Sequence, residues 1–322
     1  MKVQSCCSAV RLGRLGLSAR VLLCIVAIAI ACFPLSCEGS RANRIVIGSK
    51  NFTESLILGE LMAQQIEAHT HLTVERRFYL AGTYICHQGM LAGRIDIYPE
   101  YTGTALTAIL KQKPERDRTL AYQQMKTEYA QRFGLAVAPP FGFNDTFAME
   151  IRGGDARRLH IKTLSQAAPY APGWRAGFGY EFMERPDGFR GLAAAYGLHF
   201  AAPPRVMDLG LLARALKDRQ IDLAAGNATD GLIPALDLFV LEDDRHYFPA
   251  YDAVPVIRGA VLARHPEIGD ALAAFAGKIS DQEMQQMNYA VDGERRDVKD
   301  VAREFLLKKD MIEKSTGSPE QQ

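Results

Sequence analysis

Short apolar runs alternate along this chain with longer stretches whose apolar residues return at helical spacing. Ile45-Val46-Ile47 is such a run, and Leu58, Leu61, Met62 and Ile66 then mark one face of a helix. Carried forward, the pattern predicts strand 44–49, helix 51–70, strand 72–80, helix 83–93 and strand 95–98. The same order returns as strand 174–180, helix 188–197, strand 199–207, helix 209–219 and strand 221–225. Both copies end alike. Leu91 to Asp96 reads Leu-x-x-Arg-Ile-Asp, and Leu216 to Asp222 repeats it with one residue inserted. Two βαβαβ units in one chain predict an α/β protein with two sheets and a cleft between them. Helices are also expected over 266–277, 280–291 and 297–308, packed back on the first unit, with Ser280 and Glu283 as a capping box.

Polar residues gather where the predicted strands end. Pro99 is expected to stop the strand at 95–98, because it donates no backbone hydrogen bond. That leaves Tyr98, Glu100, Tyr101, Thr102 and Thr104 beside a helix N-terminus. The repeat places the loop 226–231, with Asn227 and Thr229, opposite them. Asn51 and Glu54 read as a capping box that holds Lys50 at a strand end. Arg185 takes the corresponding place in the second unit. Two cations and two helix N-termini at one cleft suit a small carboxylate. The alternatives are a solvated Lys50, and an Arg185 paired on the surface with Glu184 or Asp187. The segments 141–147 and 247–255 are expected to cross between the units, carrying aromatic residues to the cleft mouth.

The first 37 residues change the setting. They hold Lys2, Arg11, Arg14 and Arg20, no acid, and an apolar run from Val21 to Phe33. This is a signal-peptide pattern, too short for a spanning helix. Pro34-Leu35-Ser36-Cys37 is similar to a bacterial lipobox, with Cys37 as the lipidated residue; Cys32 is a competing site, and simple cleavage near Ser40 is the third possibility. Removing this leader takes four of the 38 basic groups and leaves 34 against 37 acidic ones, a net charge of −3. No basic stripe stands out, so a nucleic-acid partner is not expected. Of the six cysteines only Cys86 lies in the body, so no internal disulfide is available and Cys86 reads as a small core residue. There is no nucleophile elbow, phosphate-cradling loop, clustered Cys/His or calcium loop. Neither catalysis, a metal nor a cofactor is expected.

Six motifs occur in order and carry a resemblance: Gly48-Ser49-Lys50-Asn51-Phe52-Thr53-Glu54, Tyr98-Pro99-Glu100-Tyr101-Thr102-Gly103-Thr104, Gly142-Phe143-Asn144-Asp145-Thr146, Glu184-Arg185-Pro186-Asp187-Gly188, Leu241-Glu242-Asp243-Asp244 and Phe248-Pro249-Ala250-Tyr251-Asp252. Over residues 44–310 the chain resembles substrate-binding proteins of the osmoprotectant (glycine betaine/choline/carnitine) ABC importers. The resemblance implies a two-lobed periplasmic-binding-protein fold of type II kind, hinged by two crossover segments. The expected division is a leader at 1–37, a first lobe of 44–143 plus 252–312, a second lobe of 144–251, and a flexible tail at 313–322.

The same resemblance implies a small zwitterionic or cationic solute, an ABC permease with its ATPase, a location outside the cytoplasmic membrane with a lipid anchor, and a monomer. It suggests Tyr101, Phe147 and Tyr251 as an aromatic cage for a quaternary ammonium. It suggests Lys50, Thr104 and Arg185 as the carboxylate grip, with Asp145 near the cation. Two positions depart from the family pattern: Asn227 stands where many members carry an aromatic residue, and Phe147 where tyrosine is common. The expected cage therefore lacks one wall. Two rival readings share the scaffold. One is a sensor domain presenting its ligand to a receptor. The other is a transferase, for which Asp145 and Glu100 are the only acid/base candidates.

Overall fold

The computed structural model describes residues 43–313. Strand β1 (Arg44–Lys50) leads through α1 (Thr53–His69), β2 (Thr73–Ala81) and α2 (Thr83–Leu91) to β3 (Ile97–Tyr101). β1 and β3 run parallel, with Ile47 opposite Ile97. A short helical turn at Thr102–Thr104 continues as a π-helical turn at Ala105–Ile109, and α3 (Arg118–Phe133) then precedes β4 (Leu135–Val137). The chain next enters the second half with β5 (Phe147–Arg152). There the repeated unit is built as β6 (Ala176–Phe178), α4 (Tyr180–Glu184), α5 (Phe189–Tyr196), β7 (Arg205–Val206), α6 (Leu209–Lys217) and β8 (Leu223–Asn227), followed by β9 (Leu238–Leu241). It returns through β10 (Ala253–Arg258) to the helices α7 (Asp281–Asp292) and α8 (Val298–Lys308).

The two sheets share one plan. Their orders are β2-β1-β3-β10-β4 and β7-β6-β8-β5-β9. In each, the βαβαβ unit supplies three adjacent strands, and an antiparallel strand is added beside the third. That added strand is the one by which the chain enters from the other half: β10 in the first sheet and β5 in the second. The two crossing segments lie side by side. Asn144 bridges Asp252 in antiparallel fashion, and Asp145 N–H donates to the Tyr251 carbonyl at 3.1 Å.

Three local expectations are corrected. Pro99 does not end its strand. It lies inside β3, directly opposite Pro255 of β10. Thr102 N–H donates to Asp252 O and Arg258 N–H to Asp96 O, so the even-numbered β3 positions carry the rungs. The two prolines therefore face each other at a pair that needs no N–H. The capping box at Asn51 does not form either. The residue before α1 is Phe52, with no side-chain cap, and the Glu54 carboxylate turns inward instead. Finally, the strand expected over 199–207 is reduced to Arg205–Val206.

The Ser280–Glu283 box does form at the start of α7. α7 and α8 pack against α1, whose apolar face is fully buried. Cys86 is buried, and burial pushes its thiol up to about 12. The expected leader, with Cys32 and Cys37, lies outside the described residues, as does most of the expected tail.

Candidate functional site

Every ligand residue expected from the sequence, except Thr229, lines one cavity of about 810 Å³ between the two sheets. Lys50 ends β1 and is buried. Its ammonium contacts the Glu100 carboxylate of β3 and lies 4.8 Å from the centre of the Tyr101 ring. Glu100 also accepts from the Tyr98 hydroxyl at 3.1 Å and from Tyr101 N–H at 2.8 Å. Lys50 is thus neither solvated nor a free cation: its charge is balanced inside the protein.

Arg185 reaches the same cavity from the turn after α4, an extra helical turn that the first half does not have. Its Nε and Nη2 fork onto Asp187 at 2.9 and 2.5 Å, and Nη1 donates to Thr104 Oγ1 at 3.0 Å. The pairing with Asp187 that the sequence left open as a surface contact forms, but it is buried. The Tyr251 hydroxyl donates to Asp187 as well, at 2.6 Å. Burial pushes the Asp187 carboxyl up, but the charge and hydrogen bonds of Arg185 outweigh it and hold the group below the usual range. The guanidinium carbon lies 5.0 Å from the Phe147 ring centre and 5.7 Å from that of Tyr251. Arg185 therefore lies within cation–π range of two of the three expected cage rings.

Behind the cavity wall, Thr229 ties the halves together. Its hydroxyl contacts Glu54 of α1 and Asp145 of the crossing segment, the latter at 2.8 Å, and its N–H donates to Asp145 at 3.2 Å. Glu54 also accepts from the Tyr101 hydroxyl at 2.6 Å and from the Asn288 amide at 3.2 Å. One hydroxyl proton cannot serve both carboxylates. Burial raises the carboxyls of both Glu54 and Asp145, and Asp145 is raised further by the Glu54 charge.

Asn227 stands opposite Phe147 across β8 and β5, on the cavity wall. Phe147 packs against Phe182, Phe248 and Tyr251, with ring centres 4.8, 5.5 and 5.5 Å apart. The sequence reading missed Phe52 and Phe182 on the wall, and it gave Glu100 and Asp187 other roles than internal counter-ions, an acid/base candidate and a surface partner. Each sits within two residues of a motif position that was singled out, so adjacency was the available signal.

Residues 43–308 match the OpuAC family, the substrate binding domain of the ABC-type glycine betaine transport system. The chain belongs to this family. It is similar to the carnitine transport binding protein OpuCC of Listeria monocytogenes, at 36% identity over 279 residues, covering 85% of this chain and 90% of the relative. It is 33% identical over 301 residues to a glycine-betaine-binding protein of Pseudomonas aeruginosa, covering 90% of this chain and 96% of that one. It is 34% identical over 263 residues to the ergothioneine transport permease/binding protein EgtU of Helicobacter pylori, covering 81% of this chain and 47% of that protein. A solved glycine betaine/carnitine/choline ABC transporter structure superposes with a TM-score of 0.69 at 32% identity, covering 84% of this chain and all (100%) of that one.

The two sheets are accordingly the two lobes of an OpuAC-type α/β binding protein, and the chain is a substrate-binding protein of an ABC transport system of the glycine betaine/carnitine kind. Its relatives are solute-binding proteins rather than enzymes. Among the described residues no helix is long and apolar enough to cross a membrane, and no group of three or more His, Cys, Asp and Glu could hold a metal ion.

Proposed function

We propose that the chain is exported, binds a small quaternary-ammonium zwitterion of the glycine betaine, choline or carnitine type in the 810 Å³ cavity, and delivers it to an ABC permease. The observation that carries this reading is the neutralisation of both cavity cations within the protein, which leaves ring faces and carboxylates to set the field. A methylated ammonium has no N–H to donate, so ring faces suit it, and in this reading it takes those of Tyr101, Phe147 and Tyr251 that Lys50 and Arg185 leave uncovered. Each good desolvated contact contributes about 0.5–2 kcal/mol. The ligand's carboxylate then meets donors that remain on the paired cations. Lys50 has three N–H groups and one partner, and Arg185 has five N–H groups and three hydrogen bonds. Micromolar affinity needs about −8 kcal/mol, within reach of a partial cage and two charge-assisted contacts.

In this reading 44–143 plus 252–312 and 144–251 move as lobes about the paired crossing segments, and the contacts Arg185–Thr104 and Thr229–Glu54 latch them. Ligand favours the closed state only through contacts it makes with both lobes. Cys37 is the lipid anchor in the same proposal, and a Cys37→Ser chain that matures normally and stays on the membrane would remove it.

The central test is a thermal-shift screen over quaternary amines, followed by calorimetry on glycine betaine, carnitine, choline and the methyl esters of the two acids. A stabilising zwitterion whose ester binds more weakly supports the reading. Equal affinity for acid and ester would take the carboxylate out of it, and silence across the whole panel would remove the quaternary ammonium.

A further inference from the structure

A second cavity of about 110 Å³ adjoins the first, and Asn51, Phe52, Asp208, Leu209 and Asn227 line both. Its chemistry is one-sided. Carboxyl groups of Glu54, Glu150, Asp208, Asp230 and Asp292 line it, and no lysine, arginine or histidine does. An acidic lining alone would say little. The decisive feature is a pair of buried acceptors with nothing to accept from. Glu150, in the middle of β5 and 1% exposed, has an Oε1 without a hydrogen-bond partner, and so does Oδ1 of Asn288, which is 4% exposed. The Asn288 amide cannot be turned round to relieve this, because its Nδ2 already donates to the Thr229 carbonyl at 2.9 Å, and that group only accepts. Gly226 makes the room for Glu150: a Cβ there would lie 2.1 Å from Glu150 Oε1.

Buried polar atoms in native proteins are nearly always paired, so two orphaned acceptors on one small cavity describe what should fill it. The filler must donate hydrogen bonds, tolerate or prefer negative charge, and fit a space of a few water volumes. A trimethylammonium group fails the first condition. We propose that this annex is a second subsite of the binding cleft, taking an N–H-bearing cation, a primary ammonium or guanidinium group, from a ligand whose quaternary ammonium end occupies the main cavity. The inference rests on the cleft reading given above and extends it to a class of substrate: amine-bearing quaternary ammonium solutes, longer than glycine betaine and carrying a second cationic end. Asn227 stands at the junction of the two cavities, lining both. An asparagine there offers an amide to the linker between the two ends.

A proton signature follows from the same geometry. Burial, and then the charge of Asp230, hold the Glu150 carboxyl well above the usual carboxylate range. Asp230 itself is raised to about 6, first by burial and further by Asp292. The charged and titratable groups around this site are Glu54 on α1, Tyr79 on β2, Asp208 before α6, Arg214 on α6 beside Asp292, Asp230 after β8, and Asp292 on α7. Arg214 offsets the charge of Asp292, and it does not line the cavity. An incoming ammonium ion favours the charged carboxylate, so binding should release protons.

The test uses ω-aminoalkyl-trimethylammonium ions with propyl, butyl, pentyl and hexyl linkers, each against a twin whose terminal ammonium is replaced by methyl, with glycine betaine as the reference. At the best linker length the amine should bind the wild-type protein about 10-fold or more tightly than its twin, the equivalent of one charge-assisted hydrogen bond. Glu150→Gln should collapse that ratio, and Asn288→Leu should reduce it. Should Glu150→Gln fail to fold, calorimetry on the wild-type protein in buffers of different ionisation enthalpy decides instead: the amine, and not its twin, should release protons. If glycine betaine binds but no amine outbinds its twin, water fills the annex and the proposal is overturned while the cleft reading stands. If glycine betaine and every probe fail to bind, both fall.

Discussion

Replacing Arg185 with alanine removes the cation from a pair whose side chains are only 5% and 1% exposed. Asp187 keeps the Tyr251 hydroxyl at 2.6 Å but loses both arms of the guanidinium fork. Removing one partner of a buried pair costs about 3–5 kcal/mol, because a charge is left in a low-dielectric setting. At about 2 °C per kcal/mol for a chain of this size, the melting temperature should fall by about 6–10 °C.

The loss should also depend on pH in a definite direction. In the wild type the folded Asp187 lies below its unfolded value, so its stabilisation is present above about pH 4 and is lost as pH falls through the folded value. In Arg185→Ala burial, the largest influence, is set against the hydrogen bonds of Tyr251 and Thr107 without the guanidinium, and the folded value is expected to rise above the unfolded one. The carboxyl is then tolerated below about pH 4, and stability is lost as pH rises through the folded value. The gap between the two proteins should be widest near neutral pH and narrow toward about pH 4. Scanning calorimetry across that range tests this, with Arg185→Met/Asp187→Leu as the second variant. Exchanging both charges for apolar groups should recover most of the loss. A melting temperature unchanged in Arg185→Ala, or a gap that widens in acid, would refute the reasoning.

Four other outcomes are expected. The Glu54–Asp145 pair has raised carboxyls, so its contribution is full below about pH 4 and is lost as pH rises through the folded values; Asp145→Asn should flatten that decline in denaturant titrations at several pH values. In Gly103→Ala the new Cβ would lie 2.5 Å from the Ala250 carbonyl oxygen and 2.8 Å from the Tyr251 ring, so the protein should lose about 1–3 kcal/mol and bind quaternary amines more weakly by calorimetry. Asn227→Tyr should tighten simple quaternary ammonium ligands by about 0.5–2 kcal/mol, and a ligand panel unmoved by it would show that this position does not face the cation. Cys86, buried and pushed up to about 12, should resist iodoacetamide in the native protein at pH 8 and be alkylated on unfolding, read by peptide mass spectrometry.

The repeated unit was legible in the sequence because each strand and helix declares itself within a few residues. Ile45-Val46-Ile47, the spaced apolar face of α1 and the twin Leu-x-x-Arg endings are local signals, and the right-handed βαβ rule turns them into parallel strands. The cavity wall was legible for a related reason: its residues cluster in short motifs at strand ends, where a sheet of this kind presents them.

Apart from Arg185 with its near neighbour Asp187, which the sequence offered as a surface pair, the polar partners were not legible. Lys50 meets Glu100 across 50 residues, Arg185 meets Thr104 across 81, and Thr229 meets Glu54 across 175. The last two are chosen by which lobe faces which and the first by how β1 pairs with β3, and no spacing rule encodes either. The same holds for Pro99. On the β10 side its missing N–H falls off the rungs, which the register opposite Pro255 decides, while the parallel ladder to β1 pairs Ile47 with Ile97 ahead of it. Glu54 makes the point most simply: its sequence offered a helix cap, and burial against Tyr101 and Thr229 gave it different partners. A carboxylate carried into the interior must be paired there, and only the assembled fold decides with what.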